Sequence, residues 1–182
     1  MGMVKDEEVF LVPGTGQYVK NYGAYRGADV WCGQKEISPT ARVFIGHSLG
    51  AHFILSRTID PSCRFILINP LIKKRKIVSL FFRWIRFLIS EGISKKKLVP
   101  SAFWFGNMRT ALQLLKLDIL KEFQKIPKEN LIIIRGDHDA YFCTEEDISI
   151  LREQNYDVRE VAAGHDWNEN IKNAVTDILR KM

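Results

Sequence analysis

The chain predicts an α/β fold, in which short buried strands alternate with helices along 182 residues. Three observations predict it. Apolar runs recur at Val9-Phe10-Leu11-Val12, Ala41-Arg42-Val43-Phe44-Ile45, Arg64-Phe65-Ile66-Leu67-Ile68 and Leu131-Ile132-Ile133-Ile134, the pattern of strands covered on both faces of a mostly parallel sheet. Gly46-His47-Ser48-Leu49-Gly50 puts a serine between two glycines where one such strand gives way to helical spacing. Ile171, Val175, Ile178 and Leu179 make the apolar stripe of an amphipathic helix.

The elements follow in chain order. Val9 to Val12 leads into Pro13-Gly14-Thr15-Gly16, a glycine-rich turn after a strand. Alone this is weak evidence, an ordinary turn or a phosphate cradle without the Lys-Ser/Thr ending of a P-loop. Ala28-Asp29-Val30-Trp31-Cys32 reads as a short second strand. After the third strand, Leu49 to Ile59 carries Ala51, Ile54, Leu55 and Thr58 at helical spacing until Asp60-Pro61 stops it. Arg64 to Ile68 is the fourth strand. Between Asn69-Pro70 and Leu131 lie an all-round apolar stretch, Ile77 to Ile89, an aromatic segment, Ser101 to Gly106, and a further helix from Arg109 to Lys125 with a Leu/Ile face. The fifth strand ends in Gly136-Asp137-His138-Asp139. Thr144 followed by Glu145, Glu146 and Asp147 reads as an N-cap with an acidic first turn. Tyr156 to Val161 alternates polar and apolar like a strand near a sheet edge, and Ala162-Ala163-Gly164-His165-Asp166-Trp167 is the loop before the last helix.

The chemistry starts from Ser48. A strand-to-helix turn of this kind lifts the hydroxyl above the sheet and leaves no room for a Cβ at either flanking glycine. Serine is a poor nucleophile at neutral pH, so it needs a base within hydrogen-bond reach and a carboxylate to fix that base's tautomer. Downstream, a carboxylate stands at the carboxyl end of the fifth strand and His165 in the last loop. The order serine, acid, histidine, with the elbow, the Gly-x-x-Asp and the Gly-His before the final helix, resembles the α/β-hydrolase superfamily over most of the chain. The resemblance implies a compact serine hydrolase with Ser48 as nucleophile, His165 as base and then acid, and Asp139 orienting His165. Asp137 is the rival acid; the family's usual spacing after glycine favours Asp139. The oxyanion hole is expected from the backbone N–H of Leu49 and of Thr15, although Pro13-Gly14 replaces the family's more usual His-Gly and leaves Thr15 and Gly16 as alternatives. His47 and His52 read as packing or surface residues, and His138 and Asp166 as loop residues supporting the site by hydrogen bonds.

The resemblance implies a three-layer α/β-hydrolase fold in a single domain over residues 1–182, reduced to about six strands, with helices on both faces. Residues 71–125 fall where hydrolases of the superfamily carry a helical cap over the active site. The net charge of +6 is concentrated nearby: residues 71–100 hold nine Lys or Arg against the single Glu91. As a cap helix, Ile77 to Ile89 buries its aromatic face over an acyl pocket and leaves Arg83 and Arg86 wet. As an interfacial helix, flanked by Lys73-Lys74-Arg75-Lys76 and Lys95-Lys96-Lys97, it rests on anionic lipid. It is too short and too charged to span a bilayer. Nucleic-acid binding is not expected, because the basic run matches no motif and the remaining surface is not basic.

The three cysteines, Cys32, Cys63 and Cys143, form no C-x-x-C pair, and Met1 to Glu8 has no apolar signal core. A reduced, cytoplasmic setting is expected, with peripheral membrane contact or a homodimer through residues 71–125 open. Asp137, His138, Asp139 and His165 have no recognised metal-ligand spacing, so neither metal nor cofactor is expected. The expected activity is cleavage of a carboxylic ester, with an apolar or lipid-like acid, through an acyl-enzyme. Thioester or amide cleavage or acyl transfer would use the same residues. The alternative is a catalytically weak hydrolase-like module that binds an anionic membrane or a protein through the basic aromatic insertion.

Overall fold

The computed structural model describes residues 8–57, 60–91 and 97–182. Six strands, β1 (Val9–Val12), β2 (Arg26–Gly27), β3 (Val43–His47), β4 (Arg64–Ile68), β5 (Leu131–Gly136) and β6 (Asp157–Val161), form one sheet in the order β2-β1-β3-β4-β5-β6. Every neighbouring pair is parallel. From β1 the chain steps outward to β2 and then returns to build β3 to β6 on the other side. Strand order therefore reverses between β1 and β3, and a crevice opens at their carboxyl ends. The glycine-rich turn after β1 and Ser48 after β3 both border that crevice.

Parallel strands need crossovers, and helices supply most of them. In chain order these are α1 (Leu49–Leu55), α2 (Ile77–Ser90), α3 (Trp104–Leu114), α4 (Ile119–Phe123), α5 (Glu145–Glu153) and α6 (Glu169–Lys181). Successive strand side chains point to opposite faces, so the strands other than β2 feed two cores. Phe10, Phe44, Phe65, Leu67 and Ile133 pack on one face with α1 to α5. Leu11, Ile45, Ile66, Ile68 and Ile134 pack on the other with Ile171, Val175 and Ile178 of α6. The result is three layers. At the start of α6, Asn168 Oδ1 accepts the Ile171 N–H at 3.0 Å. At the start of α5, Asp147 reaches back to accept the Thr144 N–H at 2.9 Å.

The strand read over Ala41 to Ile45 is displaced by two residues to Val43–His47, and two further elements differ in kind from the sequence reading. The second strand is Arg26–Gly27, and Val30–Cys32 is a 3-10 turn. Val30 and Trp31 are buried as their apolar character requires, but beneath the turn after β1, where Trp31 Nε1 donates to the Pro13 carbonyl at 3.0 Å. Asp29 bends the chain there by accepting the Val19 N–H at 2.7 Å. The helix expected over Arg109 to Lys125 is instead α3 and α4, broken around Leu115–Asp118. Leu114, Ile119 and Phe123 are all buried. At about 100° per residue, a straight helix would turn Ile119 roughly 140° away from Leu114, so the break returns both to the core. α1 ends at Leu55, and the expected helical positions Thr58 and Ile59 lie outside the described residues. Among the described residues no helix is long and apolar enough to cross a membrane.

Candidate active site

Ser48 sits between β3 and α1 with φ 53° and ψ −122°, a backbone conformation that L residues rarely adopt. The neighbouring glycines make it accessible. A Cβ on Gly46 would lie 2.6 Å from the Cα of Ala51, and one on Gly50 would lie 2.3 Å from the carbonyl oxygen of Val12. The helix can therefore start this close to the sheet only with glycine at both places. Leu49 opens α1, and N–H groups in a first helical turn have no partner within the helix.

Ser48, Asp139 and His165 meet at the carboxyl ends of the strands. Ser48 Oγ lies 3.0 Å from His165 Nε2, and His165 Nδ1 lies 2.6 Å from Asp139 Oδ2. The Asp139 carboxylate also accepts the N–H groups of Tyr141, Phe142 and Cys143, each at 3.0 Å. Burial alone would raise the Asp139 pKa; the charge and hydrogen bond of His165, with the Phe142 and Cys143 N–H donors, outweigh it and hold the carboxyl below the usual carboxylate range. An ionised carboxylate only accepts, so Nδ1 of His165 carries the proton and a neutral ring leaves Nε2 free to accept from Ser48. The ring is boxed by Phe142 and Phe87, with centroids 4.4 and 5.2 Å away.

Asp137 stands outside this line. Its side chain is 43% exposed, against 0% for Asp139, and it contacts His138 and the Ala163 N–H. Of the two carboxylates, only Asp139 reaches the His165 ring. His138 is exposed, and its N–H donates to the Ala163 carbonyl at 3.0 Å. Asp166 accepts from Gln17 Nε2 at 2.8 Å and from Lys97 at 3.0 Å.

Several residues that hold the site had no motif to announce them. His47, expected in a packing or surface role, is buried, and its Nε2 donates to the His165 carbonyl at 2.8 Å. Asn69, buried with φ 45°, donates to the same carbonyl at 2.9 Å and accepts the Gly136 N–H at 2.8 Å, so it ties the ends of β4 and β5 to the His165 loop. Tyr22 accepts the Gly14 N–H at 2.8 Å, and its single phenolic proton lies between Gln17 Oε1 at 2.5 Å and His47 Nδ1 at 2.6 Å. Burial pushes the Tyr22 phenol well above its ordinary value and brings His47 and His52 each down to about 4. His52 is buried on α1, one turn beyond Ser48, and its ring meets the Ser48 backbone.

The cap segment grips the same loops. Arg75 donates to the Phe142 carbonyl at 3.0 Å, and Arg83 of α2 donates to the Tyr141 carbonyl at 2.9 Å. Glu91, at the end of α2, accepts the His165 N–H at 3.0 Å. Arg83 is therefore half-buried and engaged instead of wet, while Arg86 is exposed as expected. Glu91 did carry a signal, as the single acid in a basic run. Leu98 bridges Gln17, and the Val99 N–H donates to the Gly16 carbonyl at 2.7 Å, which fixes the cap to the glycine-rich turn.

Above Ser48 and His165 lies a cavity of about 470 Å³. Thr15, Gly16 and Leu49 line its floor; Leu80, Trp84 and Phe87 of α2 and Trp104, Met108 and Leu112 of α3 line its roof. Asn107, also in the wall, has an amide nitrogen with no hydrogen-bond partner among the described residues. Among the described residues no cluster of three or more His, Cys, Asp or Glu side chains is arranged to hold a metal ion.

No protein-family model and no curated protein matches this chain. Solved structures do. A lipase-esterase related protein from Clostridium acetobutylicum superposes with a TM-score of 0.59 at 15% identity, covering 95% of this chain and 93% of that one. The peroxisomal alpha-beta-hydrolase Lpx1 of Saccharomyces cerevisiae gives 0.48 at 16% identity, covering 95% and 74%. A structure from work on carboxylesterases of the thaumarchaeon Nitrososphaera gargenis gives 0.41 at 17%, covering 75% and 64%. At such identities the likeness is one of fold, and the architecture is that of an α/β-hydrolase.

Proposed function

We propose that the chain is a serine hydrolase that cleaves carboxylic esters with an apolar acyl part. The observation behind this reading is the line of hydrogen bonds from Asp139 through His165 to Ser48 on the floor of an apolar cavity. In the proposed cycle His165 Nε2 takes the Ser48 proton as Oγ attacks the ester carbonyl. The N–H groups of Leu49 and Thr15 receive the charge that develops on the carbonyl oxygen. Asp139 stabilises the imidazolium, which then protonates the departing alcohol and leaves an acyl-Ser48. Water, deprotonated by His165, attacks that ester, and the acid and free Ser48 are released. No step requires a cofactor.

Side chains select the substrate. The roof of Leu80, Trp84, Phe87 and Trp104 favours an apolar chain, at roughly 1 kcal/mol or more per buried methylene group. The Asn107 amide nitrogen supplies one donor for a polar atom along it.

A fluorophosphonate probe tests the reading directly. The wild type should be labelled and Ser48→Ala should not, and esters of increasing acyl length should be cleaved with increasing kcat/KM until the cavity is filled. Absence of both labelling and turnover would leave the fold as a binding module and overturn the proposal.

A further inference from the structure

The nine large apolar side chains that are exposed among the described residues all fall in one stretch: Ile77, Val78, Phe81, Phe82, Ile89, Phe103, Trp104, Phe105 and Met108. Their arrangement on α2 is ordered. Leu80 and Phe87 are buried at the cavity roof, Ile77, Phe81 and Trp84 also line the cavity, and Val78, Phe82 and Ile89 recur at helical spacing on the outer side. From the other wall, Trp104 and Met108 line the cavity while Phe105, 82% exposed, stays outside it. Ile77, Phe81, Trp104 and Met108 both line the cavity and are exposed, so the bare apolar surface adjoins the mouth of the cavity above Ser48. A cluster of this kind marks a place where another apolar phase or partner comes to rest.

Charge distinguishes the occupant. Residues 71–125 hold thirteen Lys or Arg against Glu91, Asp118 and Glu122, a net +10 in a chain of net +6, so the remainder is −4. Some of this is neutralised locally, since Lys73, Lys74, Arg75 and Lys97 pair with Glu146, Asp118, Asp147 and Asp166. Lys76, Arg86 and Arg109 are exposed and have no ion-pair partner among the described residues. Lys76 directly precedes Ile77, Arg86 is one turn from both Phe82 and Ile89, and Arg109 is one turn from Phe105. A second copy docked face to face would oppose these like charges across an apolar interface. An anionic bilayer would oppose them with its own counter-charge.

We infer that the cap face made by α2 and α3 docks on an anionic lipid bilayer, with the mouth of the cavity turned to the membrane. Val78, Phe82, Ile89 and Phe105 enter the boundary between headgroups and acyl chains, and Lys76, Arg86 and Arg109 lie at the headgroups. A lipid-soluble ester then passes from the bilayer to Ser48 without crossing water. The docking is independent of the ester chemistry; only this delivery rests on the proposed hydrolase activity.

The test is co-sedimentation of the full chain with phosphatidylcholine vesicles, with and without phosphatidylglycerol. Binding should require the anionic lipid and weaken with added salt. Phe82→Asp combined with Phe105→Asp should lower the partition coefficient by about tenfold or more. Lys76→Glu, Arg86→Glu and Arg109→Glu should each lower it by roughly fivefold on anionic vesicles. All five side chains are exposed and none lines the cavity, so circular dichroism and turnover of a short water-soluble ester should be unchanged in every variant. Lost turnover in the wild type would count against the hydrolase reading and leave the docking standing. Three results would overturn the docking: no sedimentation with anionic vesicles, binding indifferent to all these substitutions, or a dimer in solution that Phe82→Asp dissociates while vesicles are ignored.

Discussion

At the floor of the cavity Ser48, His165 and Asp139 are held by buried polar bonds, whereas the roof meets the same space with apolar side chains, several of them bare to solvent. The two kinds of force have different consequences. Hydrogen bonds are directional, and the Asp139 carboxylate, with four N–H donors converging on it, has one arrangement that satisfies them all. Apolar contact depends on area and shape, so a roof of Leu, Trp and Phe can adapt to what lies beneath it. In the proposed enzyme the floor sets the reaction and the roof sets the substrate.

The largest effect should come from breaking the floor. Asp139→Asn offers an amide to His165 Nδ1 and favours the tautomer that cannot accept from Ser48; kcat should fall by roughly 10³ to 10⁴. Asp137→Asn should cost less than about twofold. Equal losses in the two variants, measured on one ester, would sink the assignment of Asp139.

Acid should next separate the floor from the roof. Buried His47 and His52 titrate near 4 in the folded chain, against about 6.5 when unfolded, so the unfolded state binds more protons between those values. Stability should be fully present above about pH 6.5 and decline as the pH falls towards 4, by about 3 kcal/mol for each histidine. Urea titrations across this window measure the slope, and His52→Gln should flatten it. A flat profile in the wild type would contradict the burial of both rings.

The smallest effect should come from the roof. Trp84→Ala enlarges the cavity without touching a hydrogen bond of the triad geometry. It should lower kcat/KM for long-chain esters by about tenfold and leave short-chain esters nearly unchanged. A uniform loss across chain lengths would mean that α2 acts on the reaction centre instead of on the chain.

The same division explains what could be read from the sequence. β1 and β4 match their sequence runs residue for residue, because burial on both faces of a sheet hides four consecutive apolar side chains in each. Burial of Val30 and Trp31 was equally legible, but not its form: a 3-10 turn buries an apolar pair as well as a strand does. Ser48 and His165 stood out because Ser48 needs its two glycines and His165 follows a Gly at a loop. His47 and Asn69 did not, and Glu91 stood out only as the single acid in a basic run. Each acts on the backbone of His165 from a remote part of the chain, and a lone polar residue that meets its partner only after folding leaves no periodic trace. The broken helix after Arg109 was hidden for a related reason, since its Leu/Ile face continues through the break.

The grips of Arg75, Arg83 and Glu91 have a consequence for engineering. All three take hold of main-chain groups, the carbonyls of Phe142 and Tyr141 and the N–H of His165, so the cap is wired into the scaffold at the very loops that present Asp139 and His165. It is therefore not an exchangeable module. A chimera that replaced residues 73–97 with a shorter connection would free the acid and histidine loops together and lose turnover even of a soluble ester that never touches the roof. A graft that retained the three contacts would be free to change everything else the cap presents.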